Sequence, residues 1–160
     1  VAVGSNRGEP GPRVVDSRSH LYPDSQRIMG WDVGASGLKI VLDPQVPAIV
    51  KQYLGGDIRS FLAAHSLKVE DVGAWVSHPG GPKVIEAIET ELGLTGGELE
   101  LTWRSLDQIG NLSSSSVLHV LRDTLDKRSL MPATSGTSGT PGMLMAMGPG
   151  FCSELVLLEW

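Results

Sequence analysis

The sequence is poor in the groups that most readily announce a function. Its 160 residues hold one cysteine, Cys152, so no disulfide closes within the chain and a reducing cytoplasm is the expected compartment. Positive charge is neither abundant nor clustered, since 13 Lys and Arg stand against 18 Asp and Glu for a net charge of -5. That balance argues against nucleic-acid and anionic-membrane partners, both of which need clustered cations. No apolar run approaches the roughly 18 residues of a membrane helix, and the first residues lack the charged-then-apolar order of a secretory leader. No set of His, Cys, Asp and Glu has metal-ligand spacing, and the Ser/Thr/Gly run at 134 to 142 holds no G-x-S-x-G elbow. Neither a metalloenzyme nor a hydrolase is supported. What is present, with 41% hydrophobic residues, is the composition of one soluble domain.

The chain opens on Val1, Ala2, Val3 and Gly4, which read as the end of a strand whose beginning is missing. "RVVDSRSHLY" (13 to 22) mixes β-branched and polar residues like a half-exposed strand, and "GLKIVL" (37 to 42) reads as a second. Pro47 sits where a helix starts, with Ile49, Val50, Tyr53 and Leu54 at helical spacing; a Gly55-Gly56 break then precedes a second helical pattern of Ile58, Phe61, Leu62 and His65. "VGAWVSH" (72 to 78) is short, apolar and β-prone, and the segment from Pro82 to Gly93 has the 3-4 spacing of an amphipathic helix. "LTWRSLDQI" predicts a short helix broken at Gly110, and 111 to 130 a longer one with Leu112, Val117, Leu118, Leu121 and Leu125 on one face. "MPATSGTSGTPG" (131 to 142) reads as a loop, and "MLMAM", "GPG" and "SELVLLEW" as a closing antiparallel pair. Strands alternating with helices and closed by a hairpin predict an α/β layered domain.

Two residues in this layout point to chemistry. His78 leaves a buried strand and enters "HPGGP", and in open α/β sheets ligands bind beyond the carboxyl ends of the strands. Gly80 and Gly81 let a substrate approach the backbone, and the helix start that follows offers free N-H groups. Asn111 trails Gly110 at the mouth of another helix, where its simplest role is an N-cap. His20, His65 and His119 read as structural or solvated.

"HPGGP" at 78 to 82, "GNLSSSSV" at 110 to 117 and "GPG" at 148 to 150 occur in an order and at separations that resemble the C-terminal half of a type III polyketide synthase, the chalcone synthase-like enzymes. "PDSQRIMGWDVGASGLKIVL" (23 to 42) resembles the segment before the family's central strand, with a bacterial flavour. Related thiolase-fold enzymes carry an HQAN-like sequence at the histidine, which is absent here. The resemblance spans nearly the whole chain. It implies a thiolase-like fold for residues 1–160, namely a C-terminal half-domain with a mixed sheet, helices on both faces and a closing β-hairpin. It also implies a Cys-His-Asn triad in which His78 and Asn111 match the histidine and asparagine, while the cysteine belongs to an N-terminal half outside this chain.

The implied reaction is acyl transfer from an acyl-CoA to that cysteine, decarboxylation of malonyl-CoA with His78 and Asn111 stabilising the enolate, Claisen condensation, and repetition before cyclisation. No cofactor is implied beyond these two substrates. Ser113 matches a pocket-lining serine, and Gly148 with Pro149 match a cavity-shaping loop, although Ala146 and Met147 replace the family's Gly and Phe. Ile40 falls where plant members carry a gatekeeper Phe. Ile40 and Met147 in place of rings suit an aliphatic starter, hence an alkylpyrone or alkylresorcinol product. Gly80 and Lys83 match positions near the CoA entrance, with a solvated first-turn lysine as the simpler reading of Lys83. The implied partners are the N-terminal half of the same synthase and a second copy in a homodimer.

Cys152 could be paired with His78 as a dyad, but "FCSELVLLEW" is a strand pattern that holds the sulfur as a small buried group without a neighbouring cation or helix start to activate it. Two readings remain from the sequence. The chain is one part of a synthase, or it is a non-catalytic thiolase-like half-domain that binds an acyl-CoA or a partner.

Overall fold

The structure, a computed structural model, describes Gly4, residues 11–129 and residues 139–160. The expectations for Val1 to Val3 and for most of the 131–142 loop lie outside the described residues.

Strand β1 (Arg13–Leu21) is followed by a hairpin of β2 (Met29–Gly34) and β3 (Gly37–Leu42). A helical rod comes next: α1 (Val46–Ile49), a π-helical turn (Val50–Leu54) and α2 (Gly55–Ala64) run without interruption. Strand β4 (Ala74–Ser77), helix α3 (Pro82–Leu92), helix α4 (Glu100–Gln108), a 3-10 turn (Ser113–Ser115), helix α5 (Ser116–Ser129), and strands β5 (Pro141–Gly148) and β6 (Cys152–Glu159) complete the order. The main sheet has strand order β1-β6-β5-β4. β4 and β5 are parallel, whereas β6 is antiparallel to both β5 and β1, so the sheet is mixed and closed by the expected β5-β6 hairpin.

Period-two alternation sends successive side chains to opposite faces, and both faces are covered. Trp75, Met143, Met145, Leu155 and Leu157 pack with Val50, Leu54, Ile58, Phe61, Ile85 and Ile88 of the rod and α3. Val76, Leu144, Val156 and Leu158 pack with Leu101 of α4 and with Val117, Val120 and Leu121 of α5. Ile58, Phe61, Ile85 and Ile88 are fully buried, each contributing about 1.5–3 kcal/mol of transfer free energy. No helix among the described residues is long and apolar enough to cross a membrane.

Four local expectations are corrected. Gly55 and Gly56 do not break the helix. Gly55 is buried, and a Cβ there would stand 3.3 Å from the Cβ of Glu91, so the glycine serves close packing of the rod on α3 at a cost of about 1 kcal/mol in helix propensity. Met29–Gly34, unassigned from the sequence, is a strand paired in register with Gly37–Leu42, with Trp31 opposite Ile40. These two strands form a sheet of their own, and the apolar side chains at 31, 33, 38, 40 and 42 are exposed, Ile40 at 57%. The helix read from residue 111 begins at Ser116, and Leu112 and Leu118 are exposed. Cys152 is half-buried, because it is the first residue of β6 beside the Gly148–Gly150 turn, with Sγ 3.8 Å from the Pro149 carbonyl oxygen.

Candidate active site

The parallel pair β4 and β5 ends its strands side by side, and His78, the loop of Asn111 and the Met147–Pro149 turn lie at that end. β4 is buried at every position, which takes the chain through the core and releases it at His78. The His78 N-H donates to the Met145 carbonyl at 2.9 Å, extending the pairing one residue beyond the strand. Pro79 is buried, and the Gly80 N-H turns back to the His78 carbonyl at 2.9 Å. Gly81 then adopts φ 152 and ψ 163, a region reserved for glycine, and α3 starts at Pro82 with its φ preset for the first turn. Gly80 differs: a Cβ there would make ordinary contacts at 3.6 Å with Val84 and 3.7 Å with His78 Cδ2. The second glycine is therefore the one the turn requires. α3 ends, as expected, on left-handed Gly93.

The His78 imidazole is half-buried, and burial holds its pKa below the usual histidine range. In this chain the ring is neutral at neutral pH and keeps one N-H donor. An imidazolium at this position would need a thiolate nearby to raise the ring's proton affinity.

Asn111 reaches this turn from a loop far away in sequence. Its Nδ2 donates to the Gly80 carbonyl at 3.2 Å, and its Oδ1 accepts the Ser113 N-H at 2.9 Å. Asn111 is not the N-cap expected of it, since Leu112 holds that position before the 3-10 turn; its oxygen closes a local turn onto Ser113, while one of two amide N-H groups binds the glycine turn and the other remains for a ligand. The serine run builds the loop. Ser116 Oγ, on a buried residue, accepts the Leu112 N-H at 2.6 Å, Ser115 Oγ donates to the Leu112 carbonyl at 2.8 Å, and Ser113 takes a left-handed φ of 58. Ser116 is a supporting residue that sequence reasoning did not single out; its signal was the serine run itself.

Met147, Gly148 and Pro149 stand at the same end of the sheet, where β5 turns into β6. Met147 is half-buried against the first core cluster. Gly150, at φ 111, donates its N-H to the Met29 carbonyl at 2.8 Å, which joins the turn to the base of the β2-β3 hairpin carrying Ile40. Lys83 is exposed in the first turn of α3. Ser113 is exposed beside Asn111. His20 and His65 lie elsewhere, 3.0 Å from Asp57 and 2.9 Å from Asp16 respectively, and His119 is half-buried on α5.

A cavity of about 330 Å³ lies at the opposite end of β4, lined by Gly73, Trp75, Leu101 and Lys127 among others. It holds none of these residues. The convergent polar groups are at the strand ends, and that is where the candidate site is placed. No group of three or more His, Cys, Asp and Glu among the described residues could hold a metal ion.

Comparison with known proteins gives the setting. Residues 13–159 match the family described as chalcone and stilbene synthases, C-terminal domain. The chain is 49% identical to a 1,3,6,8-tetrahydroxynaphthalene synthase of Streptomyces peucetius subsp. caesius, over 100% of this chain and 42% of that protein. It is 34% identical to a 3,5-dihydroxyphenylacetyl-CoA synthase of Amycolatopsis balhimycina, again over 100% and 42%. The crystal structure of the tetrahydroxynaphthalene synthase of Streptomyces coelicolor A3(2), a bacterial type III polyketide synthase, superposes with a TM-score of 0.85 at 28% identity, covering 96% of this chain and 42% of that one. The chain spans about two fifths of the length of the relatives it matches.

Proposed function

This chain belongs to the chalcone and stilbene synthase family, and from that premise we propose that it is the C-terminal half-domain of a type III polyketide synthase, completed by an N-terminal half that supplies the nucleophilic cysteine. The coverage of its relatives supports this division, since each extends well beyond the matched region. The observation that carries the reading is the bond from Asn111 Nδ2 to the Gly80 carbonyl. It fixes an amide that still has a free N-H against the turn that presents His78.

In the proposed reaction the cysteine thiolate takes the acyl group of an acyl-CoA, with CoA thiolate leaving. Malonyl-CoA then loses carbon dioxide, and the electron pair of the broken C-C bond passes into an enolate on the thioester oxygen. A neutral imidazole N-H from His78 and the second N-H of Asn111 stabilise that oxygen, each such donor contributing about 3 to 4 kcal/mol. The enolate carbon attacks the acyl thioester, the C-C bond forms, and the thiolate leaves. Neither donor needs to change protonation for this step.

For the product, the 49% identical relative favours a tetrahydroxynaphthalene-type polyketide over the alkylpyrone or alkylresorcinol that Ile40 and Met147 alone suggest. A naphthalene skeleton is a whole number of two-carbon units, so the extender can also serve as the starter. Gly80 and Lys83 at the mouth of α3 would face the CoA arm, and Ile40, Ser113, Met147, Gly148 and Pro149 would wall the acyl cavity. A homodimer is the proposed assembly.

The test combines this chain with the N-terminal half and measures carbon dioxide release from malonyl-CoA together with condensed products by mass spectrometry. Activity of the combined halves, absent from either alone and lost in His78→Ala, is the expected result. Full decarboxylation by His78→Ala, or activity of this chain alone that Cys152→Ala abolishes, refutes it.

A further inference from the structure

The Gly148–Gly150 turn and the β2-β3 hairpin are held by one short segment between them. Tyr22 N-H donates to the Phe151 carbonyl at 3.1 Å, and Gly150 N-H donates to the Met29 carbonyl at 2.8 Å. Residues 22 to 29 therefore form a strap with one end on the β5-β6 turn and the other on the hairpin base. Asp43 N-H, donating to the Ile28 carbonyl at 2.8 Å, ties the returning strand of the hairpin to the same strap.

Ser25 lies at the centre of this arrangement and is only 3% exposed. Its single hydroxyl proton has three carbonyl oxygens within reach, those of Tyr22 at 2.6 Å, Gly150 at 3.3 Å and Phe151 at 3.5 Å. Three carbonyl dipoles converging in a buried place repel one another unless a donor stands between them. The Ser25 carbonyl in turn accepts the Ile28 N-H at 2.9 Å, and Asp24 holds a left-handed φ of 54, so the strap is a tight corner. The Tyr22 side chain is a separate anchor: its ring stacks on Tyr53 at 4.9 Å, and its hydroxyl lies 2.5 Å from Asp57 Oδ2 and 3.0 Å from Ser153 Oγ.

We propose that Ser25 is a positioning residue that sets the distance between the two walls of the acyl cavity, the Met147–Pro149 turn and the hairpin bearing Ile40, and thereby governs starter selection and the extent of chain extension. This rests on the synthase reading given above. The bonds that hold His78 and Asn111 run to Met145, Gly80 and Ser113 and do not pass through the strap, so decarboxylation and chain-length control are separable.

The experiment uses the combined halves with Ser25→Ala, with Tyr22→Phe as a stability control that removes the hydroxyl anchor and leaves the backbone bonds. Ser25→Ala is expected to keep malonyl-CoA decarboxylation while changing the ratio of long to short products, or the kcat/KM ratio between two acyl-CoA starters, by at least about threefold, as loss of one buried hydrogen bond allows. Tyr22→Phe is expected to lower the melting temperature and leave both ratios unchanged. Should Ser25→Ala not assemble, Ser25→Cys keeps the side-chain shape with a slightly larger, weaker donor and carries the same expectation in smaller measure. Unchanged ratios in the serine variant overturn the proposal, as do ratios that move equally in both variants in step with stability. Decarboxylation that survives His78→Ala would instead refute the synthase reading, so the two failures are told apart.

Discussion

Replacing Asn111 separates what the side chain does for the fold from what it does for the reaction. Asn111→Ala removes two hydrogen bonds, from Nδ2 to the Gly80 carbonyl at 3.2 Å and from the Ser113 N-H to Oδ1 at 2.9 Å. The residue is exposed, so both groups regain water and the pair contributes about 1 kcal/mol net. In a domain stable by about 5–15 kcal/mol, that loss leaves almost every molecule folded and lowers the melting temperature by about 2–4 °C. The catalytic cost is of a different size. Losing one preorganised donor to a developing oxyanion costs about 3 to 4 kcal/mol, or a factor of about a hundred to a thousand in rate. Asn111→Asp sharpens the comparison, because it keeps an oxygen for the Ser113 N-H while deleting the N-H and placing negative charge against the Gly80 carbonyl. The assay is carbon dioxide release by the combined halves, beside differential scanning calorimetry of each variant. Near-equal collapse of the rate in both variants with small thermal shifts is expected. A rate within about threefold of the original in either variant would show that the amide has only a structural role and would remove the donor pair from the mechanism.

Two further outcomes follow from the turn that carries His78. Gly81→Ala forces a Cβ into φ 152 and is expected to cost about 1–3 kcal/mol, whereas Gly80→Ala, with contacts no closer than 3.6 Å, should cost less; chemical denaturation of the two variants reads the difference, and equal losses would contradict it. Burial lowers the His78 pKa in the folded chain, so the unfolded chain binds this proton more readily. The stabilising contribution is complete above the unfolded histidine pKa, about 6.5, and is lost as pH falls through that value toward the lower folded one. His78→Gln should flatten the fall in unfolding free energy between pH 7.5 and 5, and an unaltered slope would count against the buried, neutral ring.

The core was largely legible because its pattern is strong. "VGAWVSH" places the β4 residues, all of them buried, and the spacing of Ile85, Ile88 and Leu92 turns one face of α3 inward. Glycine was the chief source of error. Gly55 looked like a stop and is a packing contact, while Gly30 and Gly34 obscured the alternation of Met29, Trp31 and Val33 that makes a strand. His78 stood out by its place between a buried strand and two glycines and Asn111 by its place after Gly110, and the family resemblance supplied their roles, but the bond between their loops spans 31 residues of sequence from Asn111 to Gly80 and has no local signature. The strap at Tyr22 to Met29 was invisible for the same reason, since its partners on the β5-β6 turn lie more than 120 residues away, as the 125 between Ser25 and Gly150 shows.

The β2-β3 hairpin also bears on how the protein must be handled. Five large apolar side chains on one ribbon are open to solvent, Val33 at 82%, and among the described residues the ribbon pairs with no third strand, so away from the Met29 carbonyl its outer edges present N-H and C=O groups without strand partners. A ribbon with an oily face and two hydrogen-bonding rims is a template for self-association. Material expressed as this chain alone should accordingly be salt-sensitive, prone to inclusion bodies and recovered at low yield. Making both halves in one cell, so that they meet as they are synthesised, is the practical route to the assemblies on which every assay above depends.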